Sequence, residues 1–88
     1  MKQYMKDFLE LLNEPQVKRS GLLEDEILEL YRKLLSSNDA SDAKEYYFQL
    51  LGFVRGLYFT FGDNTWEGIR LKFNSELLNE FHNKFGAL

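Results

Sequence analysis

The stretch YYFQLLGFVRGLYFTF, residues 46–61, decides the fold class of this chain, because it suits both a strand and a helix. It contains seven aromatic residues and two glycines. Aromatic residues are common in strands, and residues 57–73 read as a β-hairpin that turns at residues 62–64. This interpretation gives an α+β fold.

The same region also has a helical period, which starts at Ser41 and lasts for about five turns. At about 100° per residue, one arc of this helix carries most of its apolar side chains. They are Ala43, Tyr46, Tyr47, Leu50, Leu51, Val54, Leu57, Tyr58 and Phe61. Because a sustained period outweighs local propensity, we expect a helix here, and the hairpin at 57–73 is the alternative.

Three further segments have the amphipathic pattern of helices. They cover about Lys2 to Leu12, Ser20 to Ser36 and Thr65 to Phe85. Pro15 interrupts the first segment and Gly86 ends the last. The sequence therefore predicts an all-α fold: one domain, residues 1–88, built as a small bundle of about four amphipathic helices, with helices 3 and 4 in a long antiparallel hairpin.

Residue spacing within these helices predicts parts of the core and the surface. The fourth helix has an apolar stripe of Trp66, Ile69, Phe73, Leu77 and Phe81, and a flanking seam of Leu71, Leu78 and Phe85. Two pairs have the i,i+4 spacing that supports a helix: Glu29 with Lys33, and Glu80 with Lys84.

The net charge of −3 is unevenly distributed. Residues 1–45 hold seven basic and ten acidic residues, whereas residues 46–88 hold four of each and eleven of the fourteen aromatics. Nucleic-acid binding normally needs a basic patch, so this balance argues against it. A DNA-binding transcriptional regulator remains the second hypothesis, with Lys18, Arg19, Arg70 and Lys72 on phosphates.

The chain offers little catalytic or metal-binding chemistry. It has no cysteine, and its one histidine, His82, lies opposite the Trp66 stripe. The acidic run at residues 24–26 lacks the spacing of a calcium loop, and no Gly-Lys-Ser/Thr phosphate loop is present. We expect no enzyme activity, no catalytic residue, no metal site and no cofactor.

No segment has the pattern of a membrane span or a signal peptide. The longest uncharged run, residues 46–54, has nine residues, against about 20 for a span. Asp7 and Glu10 interrupt the apolar pattern near the N-terminus. We expect a cytoplasmic protein that does not enter a membrane.

A second face of the third helix is the candidate partner-binding site. Phe48, Gly52, Arg55, Gly56 and Phe59 lie about 120–180° from the centre of its main apolar stripe. Glycines inside a helix normally mark a close backbone approach. Either helix 1 or helix 2 covers this face, or the face binds a partner through aromatic and arginine side chains.

These observations favour a non-catalytic protein-binding module, a small acidic helical protein that inhibits, adapts or regulates another protein. The acidic first half suits a basic partner, such as a nucleic-acid enzyme. A homodimer through Phe48, Arg55 and Phe59, or a structural subunit of a larger assembly, are the related alternatives.

Overall fold

The structure is a computed structural model that describes residues 2–15, 17, 24–61 and 64–87, without the side chains of residues 58–61 and 64–66. Four α-helices follow one another in these ranges: α1 (Gln3–Leu12), α2 (Glu24–Ser36), α3 (Ala40–Phe61) and α4 (Asn64–Phe85). The all-α prediction is confirmed. The hairpin alternative is wrong, because residues 57–61 end α3 and residues 64–73 begin α4.

The ends of the helices follow from local chemistry. The carboxylate of Asp39 accepts a hydrogen bond from the backbone N–H of Ser41 at 2.8 Å, so Asp39 caps α3. Gly86 has φ +85°, the left-handed conformation that ends a helix, and its N–H bonds to the carbonyl of His82 at 2.9 Å.

The helices pack in the spatial order α2, α3, α4, α1. The α3–α4 pair is antiparallel, because Tyr47 near the start of α3 stacks on Phe81 near the end of α4, with ring centroids 5.7 Å apart. Tyr4 of α1 meets Tyr31 of α2 edge to face, with centroids 6.3 Å apart. This contact closes the four helices into a bundle with a radius of gyration of 12.8 Å.

The apolar stripes form the core, as the sequence predicts. Buried side chains come from all four helices: Tyr4, Met5, Phe8, Ile27, Tyr31, Leu34, Ala43, Tyr47, Leu50, Val54, Leu57, Phe73, Leu77 and Phe81. The predicted stripe positions 58, 61 and 66 lie outside the described side chains. In the described part of the chain, no helix combines the length and the apolar character needed to cross a membrane.

The flanking seam of α4 is only partly buried. Leu78 and Phe85 pack against the core, but Leu71 is 54% exposed. An α-helix drifts by about 20° per seven residues relative to a strict heptad repeat. Leu71 is therefore the seam residue that is rotated furthest from Leu77, and it faces outward.

Candidate partner-binding surface

The structure leaves the second face of α3 uncovered over residues 48–56. Phe48 is 54% exposed, and Gly52, Arg55 and Gly56 are exposed as well. We call these four residues the α3 face. α2 and α4 pack against the side of α3 that carries its buried stripe. The interpretation in which helix 1 or helix 2 covers the α3 face is therefore wrong for these residues.

Phe59 is the fifth residue that the sequence places on this face. Its backbone belongs to α3, and its side chain lies outside the described residues. It is eleven residues from Phe48, which corresponds to a rotation of about 20° on an ideal helix. The backbone therefore puts Phe59 in line with Phe48.

At the two glycines of the α3 face, the space where a side chain would begin is open among the described residues. A Cβ atom added to Gly52 or Gly56 would meet no atom within 4 Å. The close backbone approach that the sequence suggested is thus not made inside the bundle at these positions. A glycine inside a helix costs about 1 kcal/mol relative to alanine, and the described residues do not use the space beside either glycine for close packing.

Phe48 is held by a row of aromatic rings. Its centroid lies 5.3 Å from that of Tyr47, Tyr47 stacks on Phe81 at 5.7 Å, and Phe81 stacks on Phe85 at 5.2 Å. Burial raises the pKa of Tyr47, so this phenol stays neutral in the row. An exposed ring supported in this way loses little side-chain freedom when it binds.

A groove of about 270 Å³ lies between α2 and α3, beside the α3 face. Its lining residues are Glu26, Glu29, Leu30, Lys33, Gln49 and Phe53, and we call it the α2/α3 groove. Leu30 is buried and Phe53 partly buried, whereas Glu26 and Glu29 are exposed. The groove thus has an apolar floor and a rim that holds two carboxylates and the ammonium group of Lys33. The helical period of the sequence did not predict this groove, because packing decides which residues of two helices meet.

The expected pairing of Glu29 with Lys33 is not formed between these described side chains. The ammonium group of Lys33 lies over the ring of Tyr46 instead, 5.9 Å from its centroid. This is cation–π geometry across the α2–α3 contact. The carboxylate of Glu29 therefore lies on the groove rim without an ion pair to Lys33.

Glu80 is part of a polar cluster that joins three helices. Its carboxylate accepts hydrogen bonds from Tyr4 at 2.9 Å and from Tyr31 at 3.2 Å, and lies 3.3 Å from the ammonium of Lys2. Its side chain is only 8% exposed. The spacing of Glu80 and Lys84 suggested a surface pair, but Lys84 donates to the carbonyl of Leu35 instead.

The residues proposed for phosphate contacts are not brought together where the structure describes them. Arg70 is partly buried and Lys72 is exposed, and residues two apart in a helix point in different directions. Lys18 and Arg19 lie outside the described residues. His82 is exposed, as expected, and the described side chains form no group of three or more that suits a metal ion.

Comparison of the chain with protein-family models, curated proteins and solved structures gave no match. Function is therefore inferred from the geometry of the α3 face and the α2/α3 groove.

Proposed function

We propose that this protein is a non-catalytic binding module that inhibits, adapts or regulates another protein, and that the α3 face is its contact surface. One observation carries the proposal: Phe48 is 54% exposed on the same face as two glycines, beside which an added Cβ atom would meet no atom of the described residues within 4 Å. The absence of cysteine fits action in the cytoplasm.

The composition of the α3 face suits a protein contact. Aromatic residues and arginine are the usual hot spots of interfaces, and here Phe48 and Arg55 flank Gly52. A glycine in a helix lets the backbone of a partner approach closely. The destabilisation of α3 by its two glycines is then offset when a partner is bound, which supports a binding role.

Site-specific photo-crosslinking tests this proposal. A photoreactive phenylalanine analogue replaces Phe48 in cells that naturally produce the protein, and the same analogue replaces Leu71 as the control. The two positions are matched, because both side chains are 54% exposed. We expect one discrete adduct from position 48, identified by mass spectrometry, and none from position 71.

Either of two results would contradict the proposal. The first is no adduct from position 48 while the variant remains helical by circular dichroism. The second is the same set of adducts from both positions, which would indicate nonspecific capture. An adduct between two copies of the chain would instead favour the homodimer.

A further inference from the structure

We infer that the partner contributes one basic amphipathic α-helix, which lies in the α2/α3 groove and extends over the α3 face. This inference rests on the proposed function and adds the chemistry of the segment that the partner presents. Its basis is the continuity of the two surfaces, the size of the groove and the charge on its rim.

The groove and the α3 face form one continuous surface along α3. On a helical wheel, Gly56 lies about 20° and Gly52 about 60° from Gln49, which lines the groove. Arg55 lies about 120° from Gln49, on the far side of the face. A helix seated in the groove therefore passes over the two glycines, where no Cβ keeps its backbone away.

The volume of the groove suits side chains better than a small molecule. Ligand pockets usually have about 300–1,000 Å³ and enclose most of the ligand, whereas this groove has about 270 Å³. Leu30 and Phe53 form an apolar floor. Apolar residues at i, i+3 and i+4 of a partner helix are the side chains that dock in grooves of this kind.

The charge around the groove selects a basic helix over a second copy of this chain. The charged residues that line the groove are Glu26, Glu29 and Lys33, a net charge of −1, and residues 24–33 of α2 together hold four acidic and two basic residues, a net charge of −2. A symmetric dimer puts the same patch of both copies together, so these carboxylates would repel one another. Lysine or arginine residues flanking the apolar stripe of a partner helix would meet Glu26 and Glu29 instead.

Synthetic helices test the inference directly. The first probe is a peptide about five turns long, with leucines at i, i+3 and i+4 and lysines on either side. The second has the same leucines with glutamates in place of the lysines. Fluorescence anisotropy measures the affinity of each for the full chain. We expect the basic peptide to bind and the acidic peptide not to bind.

Two matched pairs of variants locate the binding. Glu26→Gln with Glu29→Gln should weaken the basic peptide about tenfold, since two exposed charge pairs are lost. The control is Glu10→Gln with Glu14→Gln, which removes two exposed charges on and just after α1. It should change the affinity for the basic peptide by less than about threefold, because only long-range attraction is reduced. Gly52→Ala should weaken binding about tenfold, whereas Gly68→Ala, at an equally open position on α4, should not.

The outcomes separate this inference from the proposed function. Equal binding of the two peptides, no binding of the basic peptide, or equal losses from the two glutamine pairs would overturn the inference. The inference also fails if the crosslink from position 48 joins a segment that is not a basic helix, although the proposed function then stands. If position 48 gives no adduct at all, the proposed function itself fails.

Discussion

The pKa of Tyr4 shows how the surroundings of one residue change its chemistry. The ring of Tyr4 lies edge to face with Phe73, with centroids 5.5 Å apart, while its hydroxyl donates to Glu80. Burial, with the neighbouring Tyr31 and Glu80, raises the pKa of Tyr4, and burial also raises that of Tyr31. Both phenols are therefore held neutral in the folded protein.

This pKa shift predicts loss of stability in alkali. Below pH 10, about the pKa of an unfolded tyrosine, both states keep the proton and the stabilisation is fully present. Above it the unfolded chain releases the proton and the folded one does not, so the free energy of unfolding falls by up to about 1.4 kcal/mol per pH unit for each such tyrosine.

Tyr4→Phe should lower the free energy of unfolding at pH 7 by about 1.5–3 kcal/mol, because a hydrogen bond to a charged group is lost. It should also reduce the decline above pH 10, so the curves of variant and wild type converge. Urea unfolding between pH 7 and pH 11 measures both effects. Curves that stay parallel would show that Tyr4 ionises normally in the folded protein.

At the level of the helices, the sequence correctly predicted which segments form secondary structure and that all four are α-helices. Four helical segments were recognised from periodicity, and both ends of α1 and α4 and the start of α3 were placed within one residue. Period placed Leu50 in the core stripe of α3, but it did not show whether the opposite face, with Phe48, is covered as well. That depended on which helices pack on α3, which is set by contacts between distant residues.

The cap of α3 gives a prediction for this helix. Asp39→Ala removes the acceptor for the N–H of Ser41, so we expect the free energy of unfolding to fall by about 0.5–2 kcal/mol. Asn38→Ala, at the exposed position just before the cap, is the control and should change it by less than about 0.5 kcal/mol. Thermal unfolding followed by circular dichroism distinguishes them, and equal losses would assign the capping role elsewhere.

In the whole molecule, phenylalanine occurs both in the core and on the α3 face, where its environment is different. Phe73 is fully buried, with its centroid 4.6 Å from that of Phe8. Phe48 has one half of its surface in solvent. The helical period agrees with this difference, because it places Phe73 on the apolar stripe of α4 and Phe48 on the face of α3 opposite its stripe.

Phe73→Ala should therefore destabilise the protein by about 3–5 kcal/mol, most of the margin of a small domain. Phe48→Ala should change the free energy of unfolding by less than about 1 kcal/mol and leave the helical spectrum intact. Urea titration of both variants is the measurement. A large loss from Phe48→Ala would show that this ring stabilises the fold, and would remove it from the partner-binding surface.

The cluster at Glu80 has a consequence for how the bundle is made. Its hydrogen bond to Tyr4 joins residues 76 positions apart, and α1 packs chiefly against α4. On the ribosome, synthesis is N-terminal first, so α1 emerges long before the helix that buries it. Its apolar side can pack against α4 only after residue 80 has left the exit tunnel, so the first helix to be made depends for its burial on a helix that is made much later.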